Sequence, residues 1–191
     1  MINLILFGKP GSGKGTQAEF VKKKYDLVHI STGDIFRYNI SNQTELGILA
    51  KSYMEKGELV PDGVTIQMLE AEVNKTPNAG GFIFDGFPRT THQAEMLDKF
   101  LINKKLSISM TIALEVDEKI LTDRLISRGK DSGRVDDQDR SKIKNRFDEY
   151  NKKTSTLINY YKSQDKFFEI EGTGEISEIS ERIFNVIDSN I

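Results

Sequence analysis

The sequence of 191 residues contains no cysteine. Disulfide scaffolds, thiol catalysis and cysteine-ligated zinc or iron–sulfur sites are therefore excluded. Only two histidines are present, His29 and His92, and without carboxylates they cannot supply the three ligands of a catalytic zinc site. We expect no structural zinc in this protein.

Long apolar runs and an excess of charge of one sign are also absent. The longest apolar run, Leu4 to Phe7, is far too short to span a bilayer, and no basic segment precedes a long apolar one, as it would in a secretory signal. The 27 basic and 29 acidic residues leave a net charge of −2, which disfavours a protein that coats nucleic acid or an anionic membrane. We expect a cytoplasmic protein with neither of these partners.

Short apolar runs alternate along the chain with segments whose apolar residues have helical spacing. The runs predict strands at residues 2–7, 27–30, 82–84, 110–116 and 167–170. The spacing predicts helices from the glycine-rich segment after residue 7 to about residue 24, and at residues 45–56, 63–73, 91–101, 118–128, 140–162 and 177–188. This alternation is typical of βαβ units with right-handed crossovers. We therefore predict a three-layer α/β fold with a central five-stranded parallel sheet flanked by helices.

Two stretches do not fit the strand–helix alternation. Residues 31–73 are mainly helical and contain no predicted strand, so we interpret them as an insertion beside the sheet. Gly129 to Asp139 holds almost nothing apolar, a composition that predicts a mobile surface loop. The predicted core domain then comprises residues 1–30, 74–128 and 139–191.

The most informative motif is a glycine-rich loop between the first strand and the first helix. It reads Gly8-Lys9-Pro10-Gly11-Ser12-Gly13-Lys14-Gly15-Thr16. Glycines let backbone N–H groups converge on phosphate oxygens, and the helix N-terminus adds positive partial charge. Lys14 is placed to reach the β- and γ-phosphates of a nucleoside triphosphate such as ATP. The motif departs from its usual form at Gly15, where a hydroxyl residue commonly contacts Mg²⁺; Thr16 is the nearest replacement.

With glycine at position 15, the sequence resembles the nucleoside monophosphate kinases, above all the adenylate kinase family. Three further motifs carry the resemblance in the family's order: Ser31-Thr32-Gly33-Asp34, Asp85-Gly86-Phe87-Pro88-Arg89-Thr90, and Gly133-Arg134-Val135-Asp136-Asp137. Together they cover essentially the whole chain. The resemblance implies reversible, direct in-line phosphoryl transfer from MgATP to AMP, giving two ADP and balancing adenine nucleotides. It also implies a monomer with an NMP-binding insertion at residues 31–73 and a lid at residues 129–138.

The resemblance assigns residues to each substrate, and the chemistry calls for cations where charge develops. For ATP it implies the phosphate-loop residues Gly11, Ser12, Gly13, Lys14, Gly15 and Thr16, with Arg124, Arg128, Arg134 and Gly174. For AMP it implies Thr32, Gly33, Arg37, Glu58, Leu59, Val60, Gly86, Arg89, Gln93, Arg134 and Arg146. The implied catalytic set is Lys14, Arg89, Arg124, Arg128, Arg134, Arg146 and Asp85. Asp85 would orient Mg²⁺ through water, with Thr16 as a second candidate contact. Asp136 and Asp137 either steady these arginines or form a solvated acidic pair.

Two positions favour AMP over other acceptors. Thr32 and Gln93 resemble the positions that recognise adenine, and a glutamine amide offers a donor and an acceptor to one edge of that base. A UMP or CMP kinase of the same fold remains the nearest alternative. A non-catalytic nucleotide-binding module is the alternative from another class. The complete set of cations argues against it, because binding alone does not need residues that act in the transition state.

The lid is short in this sequence. Only five residues separate Arg128 from Arg134, which leaves no room for a small β-domain. Arg146 follows Arg134 by twelve positions, one more than is usual in the family. An extra residue inside the helix would rotate Arg146 by roughly 100° away from the site. We therefore expect the loop at residues 138–140 to absorb it.

Overall fold

A computed structural model describes all residues 1–191 and is built around a five-stranded sheet. The strands are β1 (Ile2–Phe7), β2 (Val28–Ser31), β3 (Gly81–Asp85), β4 (Met110–Glu115) and β5 (Phe167–Glu171). Their order is β2-β3-β1-β4-β5, and every neighbouring pair is parallel. The predicted α/β fold with a five-stranded parallel sheet is confirmed, and the predicted strand ends differ from the observed ones by at most one residue.

Nine α-helices accompany the sheet. They are α1 (Lys14–Tyr25), α2 (Thr32–Ser41), α3 (Glu45–Met54), α4 (Asp62–Lys75), α5 (Thr91–Asn103), α6 (Glu118–Ser132), α7 (Arg140–Glu149), α8 (Thr156–Lys162) and α9 (Ile176–Asp188). A π-helical turn, Tyr150–Thr154, joins α7 to α8 where the sequence predicts one continuous helix. None of the helices is long and apolar enough to cross a bilayer.

The structure differs from the sequence prediction in the segment after residue 128. Helix α6 continues through Ser132 and ends where Gly133 adopts a left-handed conformation with φ 67°. A 3₁₀ turn, Val135–Asp137, follows. The polar composition did not reveal this ordered structure, because ion pairs and hydrogen bonds, rather than apolar contacts, stabilise the segment.

Side-chain alternation along β1 divides the core into two layers. Leu4 and Leu6 lie on one face of the sheet, and Ile5 and Phe7 lie on the other. Helices α1 and α9 cover the first face, whereas α4, α5 and α8 cover the second. Because both faces are covered, β1 is buried along nearly its whole length, as is typical of a central parallel strand.

Helix α4 is shared between two hydrophobic clusters. One side of it supplies Ile66, Leu69 and Val73 to the main core beside the sheet. The other side joins a small separate cluster formed by Phe36, Ala50, Val60 and Met68. Helices α2 and α3 of this smaller unit approach closely, since a Cβ on Gly47 would lie 2.1 Å from the Asn39 carbonyl oxygen. The segment of residues 31–73 is thus attached to the sheet through α4.

The edge at which the parallel strands end is the place where the fold exposes functional groups. The glycine-rich loop follows β1, and Asp85 ends β3, the neighbour of β1 on one side. Strand β4 lies on the other side of β1, so the chain crosses over at this point. In open parallel sheets, ligands bind at such a crossover point, outside the carboxyl ends of the strands.

We predict opposite effects on stability for two adjacent tyrosines. The Tyr161 hydroxyl is buried without a hydrogen-bond partner, whereas the Tyr160 hydroxyl donates to Asp98 Oδ2 at 2.7 Å. Tyr161→Phe removes an unsatisfied group and should raise the free energy of unfolding by about 1 kcal/mol, while Tyr160→Phe should lower it by about 1 kcal/mol. Urea unfolding of the two variants measures the difference. Equal destabilisation by both would show that the Tyr161 hydroxyl is satisfied.

Candidate functional site

A cleft of about 810 Å³ opens at the carboxyl edge of the sheet. Of the residues singled out in the sequence, it is lined by Gly11, Ser12, Gly13, Lys14, Gly15, Thr16, Gly33, Leu59, Asp85, Gly86, Arg89, Arg124, Arg128, Arg134, Arg146 and Gly174. They come from the glycine-rich loop, the end of β3, the insertion, α6, α7 and the loop before α9. Residues distant in the sequence therefore meet in one cavity.

The glycine-rich loop curls around the carboxyl end of β1. Gly8, Gly11 and Gly13 all have positive φ, and a Cβ on Gly8 would lie 2.9 Å from the Leu114 carbonyl oxygen. The loop therefore requires glycine for both its turn and its close approach to β4. Gly13 immediately precedes α1, so the free N–H groups of the first helical turn face the cleft.

Lys14 places a partly buried cation in this loop. Its Nζ donates to the Gly8 carbonyl at 2.7 Å and to the Lys9 carbonyl at 3.1 Å. Burial and the neighbouring arginines lower the pKa of Lys14 to about 8, although the Asp85 carboxylate acts in the opposite direction.

Arg89 is held by hydrogen bonds on both its backbone and its side chain. Its N–H donates to Gln93 Oε1 at 2.7 Å, and its carbonyl accepts from Thr154 Oγ1 at 3.1 Å. Its Nε donates to the Gly86 carbonyl at 2.6 Å. Burial, followed by repulsion from Arg146, lowers the pKa of Arg89 to about 10, so the group remains charged at neutral pH. Thr154 had no signal in the sequence, because it reaches Arg89 from the π-helical turn.

Asp137 holds two arginines at the cleft wall. It accepts hydrogen bonds from Arg128 Nε at 2.7 Å and Arg146 Nη1 at 2.6 Å, and its side chain is 0% exposed. Burial raises the pKa of Asp137, but the hydrogen bonds from Arg128 and the charges of both arginines outweigh it and leave a net lowering. The interpretation of Asp137 as a solvated acid is wrong. Arg146 lines the cleft, and α7 begins at Arg140, the last residue of the segment 138–140 expected to absorb the extra residue.

Asp34 connects the insertion to the opposite wall of the cleft. Its Oδ1 lies 3.4 Å from Arg134 Nη2 and also pairs with Arg37 Nη2. Ser31 caps the N-terminus of α2, because its hydroxyl accepts a hydrogen bond from the Asp34 N–H. The carboxylate of Asp34 is therefore free to bridge two arginines from different parts of the chain.

Asp85 lies at the base of the cleft, where β3 ends. It is 8% exposed, and its Oδ2 is 3.5 Å from His29 Nε2. Burial raises the pKa of Asp85, but His29 and Lys14 favour the ionised form and leave a net lowering. An ionised carboxylate beside a phosphate loop fits Mg²⁺, which takes one or two carboxylates, substrate phosphates and several waters. The exposed Thr16 hydroxyl lines the same cleft.

Five of the residues predicted to contact AMP do not line the cleft: Thr32, Arg37, Glu58, Val60 and Gln93. The Thr32 hydroxyl donates to the Gly86 carbonyl at 3.0 Å, and Val60 packs in the cluster of the insertion. Gln93 is 2% exposed, and both ends of its amide bond to protein groups. Sequence reasoning missed its second partner, Asp62, because the contact joins two helices far apart in the chain.

The glycine-rich loop lies at the crossover point of a parallel sheet and faces six cationic side chains. These features define a P-loop protein that binds nucleotide phosphates. A family model described as adenylate kinase matches residues 6–166. The chain belongs to the adenylate kinase family, as the sequence motifs indicated.

Similar proteins named adenylate kinase match the chain from end to end. One from Flavobacterium psychrophilum is 61% identical over 189 residues, covering 99% of this chain and 100% of that protein. One from Flavobacterium johnsoniae is 59% identical with the same coverage. One from Bacteroides thetaiotaomicron is 46% identical over 188 residues, covering 98% of this chain and 99% of that protein.

We predict that Asp137→Asn lowers the free energy of unfolding by about 2 kcal/mol at pH 7, because two guanidinium groups lose a charged partner. The folded-state pKa of Asp137 lies below its unfolded value. Its contribution is therefore complete above about pH 4 and is lost as the pH falls through the folded-state pKa.

Chemical denaturation of the wild type and Asp137→Asn across pH 2 to 7 tests this expectation. The two stability curves should converge below about pH 4. Asp136→Asn is the matched control, since Asp136 has a single ion pair, at 3.0 Å to Arg146, and should have the smaller effect. A constant gap between wild type and Asp137→Asn down to pH 2 would contradict the assignment to ionisation.

Proposed function

We propose that this chain transfers the γ-phosphoryl group of MgATP to AMP, reversibly giving two ADP, and so balances the adenine nucleotide pool. Membership of the adenylate kinase family makes it a transferase. The proposal for the site is supported by one observation. Six cationic side chains line a single cleft, and both the phosphate loop and the insertion also line it. UMP and CMP are not favoured as acceptors, because the relatives above are named adenylate kinases.

ATP is proposed to place its phosphates in the glycine-rich loop, against the N-terminus of α1. Lys14 now donates to two carbonyl groups of the same loop, at 2.7 and 3.1 Å. Phosphate oxygens are stronger acceptors than these carbonyls, so the ammonium group would exchange them for the β- and γ-phosphates. The adenine of ATP is assigned to the loop at Gly174, which lines the cleft beside α9.

AMP is proposed to place its phosphate against Arg89, with Arg37 as a second cation from the insertion. Arg89 is supported by the bonded groups around it, so its guanidinium group is oriented before the acceptor arrives. No general base is required. The second pKa of a phosphate monoester is about 6, so AMP at pH 7 already offers an anionic oxygen.

Mg²⁺ is expected with ATP, as in the family. Asp85 would hold it through water, and Thr16 is the second candidate contact. When bound, the ion neutralises phosphate charge in the transition state. Asp85 is suited to this role because His29 and Lys14 keep the carboxylate ionised at the base of the cleft.

Arg124, Arg128, Arg134 and Arg146 are proposed to surround the transferring group. Asp137 orients Arg128 and Arg146, and Asp34 reaches Arg134 from the insertion. We propose that binding of both nucleotides draws the lid, residues 129–138, and the insertion, residues 31–73, over the core domain. Closure excludes water, which would otherwise accept the phosphoryl group.

The proposal includes a cytoplasmic monomer whose partners are ATP, AMP and ADP. Its support is that one chain supplies every wall of the cleft, so no second copy is needed to complete it. The sequence also lacks the excess of basic charge that binding to nucleic acid would require.

The experiment measures ADP formation from MgATP with AMP, GMP, CMP and UMP, for the wild type and Arg89→Ala. We expect AMP to be the preferred acceptor and Arg89→Ala to lower kcat/KM for AMP by roughly 100- to 1,000-fold, the usual cost of removing a group that stabilises developing charge. Arg89→Lys should recover only part of the activity, because an ammonium group cannot grip phosphate with two parallel hydrogen bonds.

Arg140→Ala is the matched control for this panel, since Arg140 is an exposed arginine at the start of α7 and does not line the cleft. It should retain wild-type activity. Preference for CMP or UMP would overturn the choice of acceptor. ATP binding without transfer to any acceptor would favour the non-catalytic module.

A further inference from the structure

A carboxylate outside the predicted site organises the residues that follow Arg89. Asp62, the first residue of α4, accepts a hydrogen bond from Gln93 Nε2 on Oδ1 at 2.7 Å. Its Oδ2 accepts from Thr90 Oγ1 at 2.8 Å and lies 3.3 Å from His92 Nδ1. No motif pointed to Asp62, and neither substrate has been assigned to it.

Hydrogen bonds fix the Gln93 amide from both ends. The Arg89 N–H can only donate, and it faces Gln93 Oε1 at 2.7 Å. The Asp62 carboxylate can only accept, and it faces Gln93 Nε2. Rotating the amide by 180° would place Nε2, a donor, against the Arg89 N–H. It would also place Oε1, an acceptor, against the Asp62 carboxylate. Since Gln93 is 2% exposed, water cannot relieve these contacts.

The direction of this amide matters for the choice of base. Each end of Gln93 retains one unused group, an N–H on Nε2 and a lone pair on Oε1. Adenine offers a donor at N6 and an acceptor at N1, whereas hypoxanthine and guanine offer an acceptor at O6 and a donor at N1. A glutamine that rotates freely matches either pattern, but a glutamine fixed in one orientation matches only one of them.

We propose that Asp62 is a positioning residue for acceptor specificity, which holds the Gln93 amide in the orientation that matches adenine and opposes a 6-oxopurine. The inference rests on the proposed function together with the expectation, drawn from the family resemblance, that Gln93 contacts the base of the acceptor. Asp62 itself touches no substrate. Its effect is exerted through Gln93, and it discriminates by making the alternative orientation costly.

The test compares AMP with IMP, because these acceptors differ only at the 6-position and N1 of the base. Asp62→Asn keeps the size of the side chain, but its amide can face either orientation of Gln93. We expect the ratio of kcat/KM for AMP over IMP to fall about tenfold or more. KM for AMP should rise several-fold, with kcat for AMP and KM for MgATP nearly unchanged.

Glu72→Gln is the matched control, since Glu72 is a carboxylate of the same helix and pairs with Lys75 instead of Gln93. It should leave the AMP to IMP ratio unchanged. If Asp62 had only a structural role, Asp62→Asn would lower activity with AMP and IMP equally. An active Asp62→Asn enzyme with an unchanged AMP to IMP ratio would overturn this inference and leave the proposed function intact. A wild-type chain that transfers to neither acceptor would overturn the proposed function and this inference with it.

Gln93→Glu provides a second variant if Asp62→Asn does not fold. A carboxyl group at position 93 faces the Asp62 carboxylate, so the two groups share one proton between them. No hydrogen is left to donate to N1 of adenine, but an oxygen of the carboxyl group can still accept from N1–H of hypoxanthine. The AMP to IMP ratio should therefore fall in this variant as well. A ratio equal to that of the wild type would show that position 93 does not distinguish the bases, and would overturn the inference.

Discussion

Repulsion among six cationic side chains around one cleft is the constraint on which the rest of this structure depends. Burial lowers the pKa of both Lys14 and Arg89, and repulsion from neighbouring arginines lowers it further. Like charges gathered in a partly enclosed space destabilise a fold unless counter-charges lie nearby. A ligand that carries several phosphates would relieve that repulsion.

Carboxylates from three different parts of the chain offset this repulsion. Asp85 ends β3 beside Lys14, Asp137 lies in the 3₁₀ turn after α6, and Asp34 lies in the first turn of α2. Their partners therefore link the sheet, residues 129–138 and residues 31–73 across the cleft. The same contacts that stabilise the protein also determine where the arginines lie relative to the proposed phosphate positions.

Local sequence patterns were sufficient for the sheet and the phosphate loop. The continuous apolar runs located the strands because parallel strands are buried on both faces. The spacing of Gly8, Gly11 and Gly13 predicted a phosphate loop because those positions need positive φ or close backbone approach. The arginines of the cleft were singled out from the family motifs, since no local pattern distinguishes them from arginines in surface ion pairs.

The other features of the site depend on contacts between residues that are distant in the chain, and a single sequence does not reveal such contacts. Asp34 and Arg134 are 100 positions apart, and Asp62 and Gln93 are 31 apart. Lys9 and Glu118 are 109 positions apart, and the Lys9 Nζ lies 2.7 Å from Glu118 Oε1. The burial of Asp137 was equally hidden, because an acidic turn has the composition of an exposed loop whether or not arginines cover it.

The most direct test of a shared cleft is calorimetric titration with a ligand in which a polyphosphate chain joins two adenosines. If donor and acceptor phosphates meet among the same six cations, one molecule should bind per chain. It should bind roughly 100-fold more tightly than ATP, because the second half binds without a further loss of translational freedom. It should also block both ATP and AMP. Binding of AMP to the saturated protein, or a second molecule of the ligand per chain, would contradict a single cleft for both phosphates.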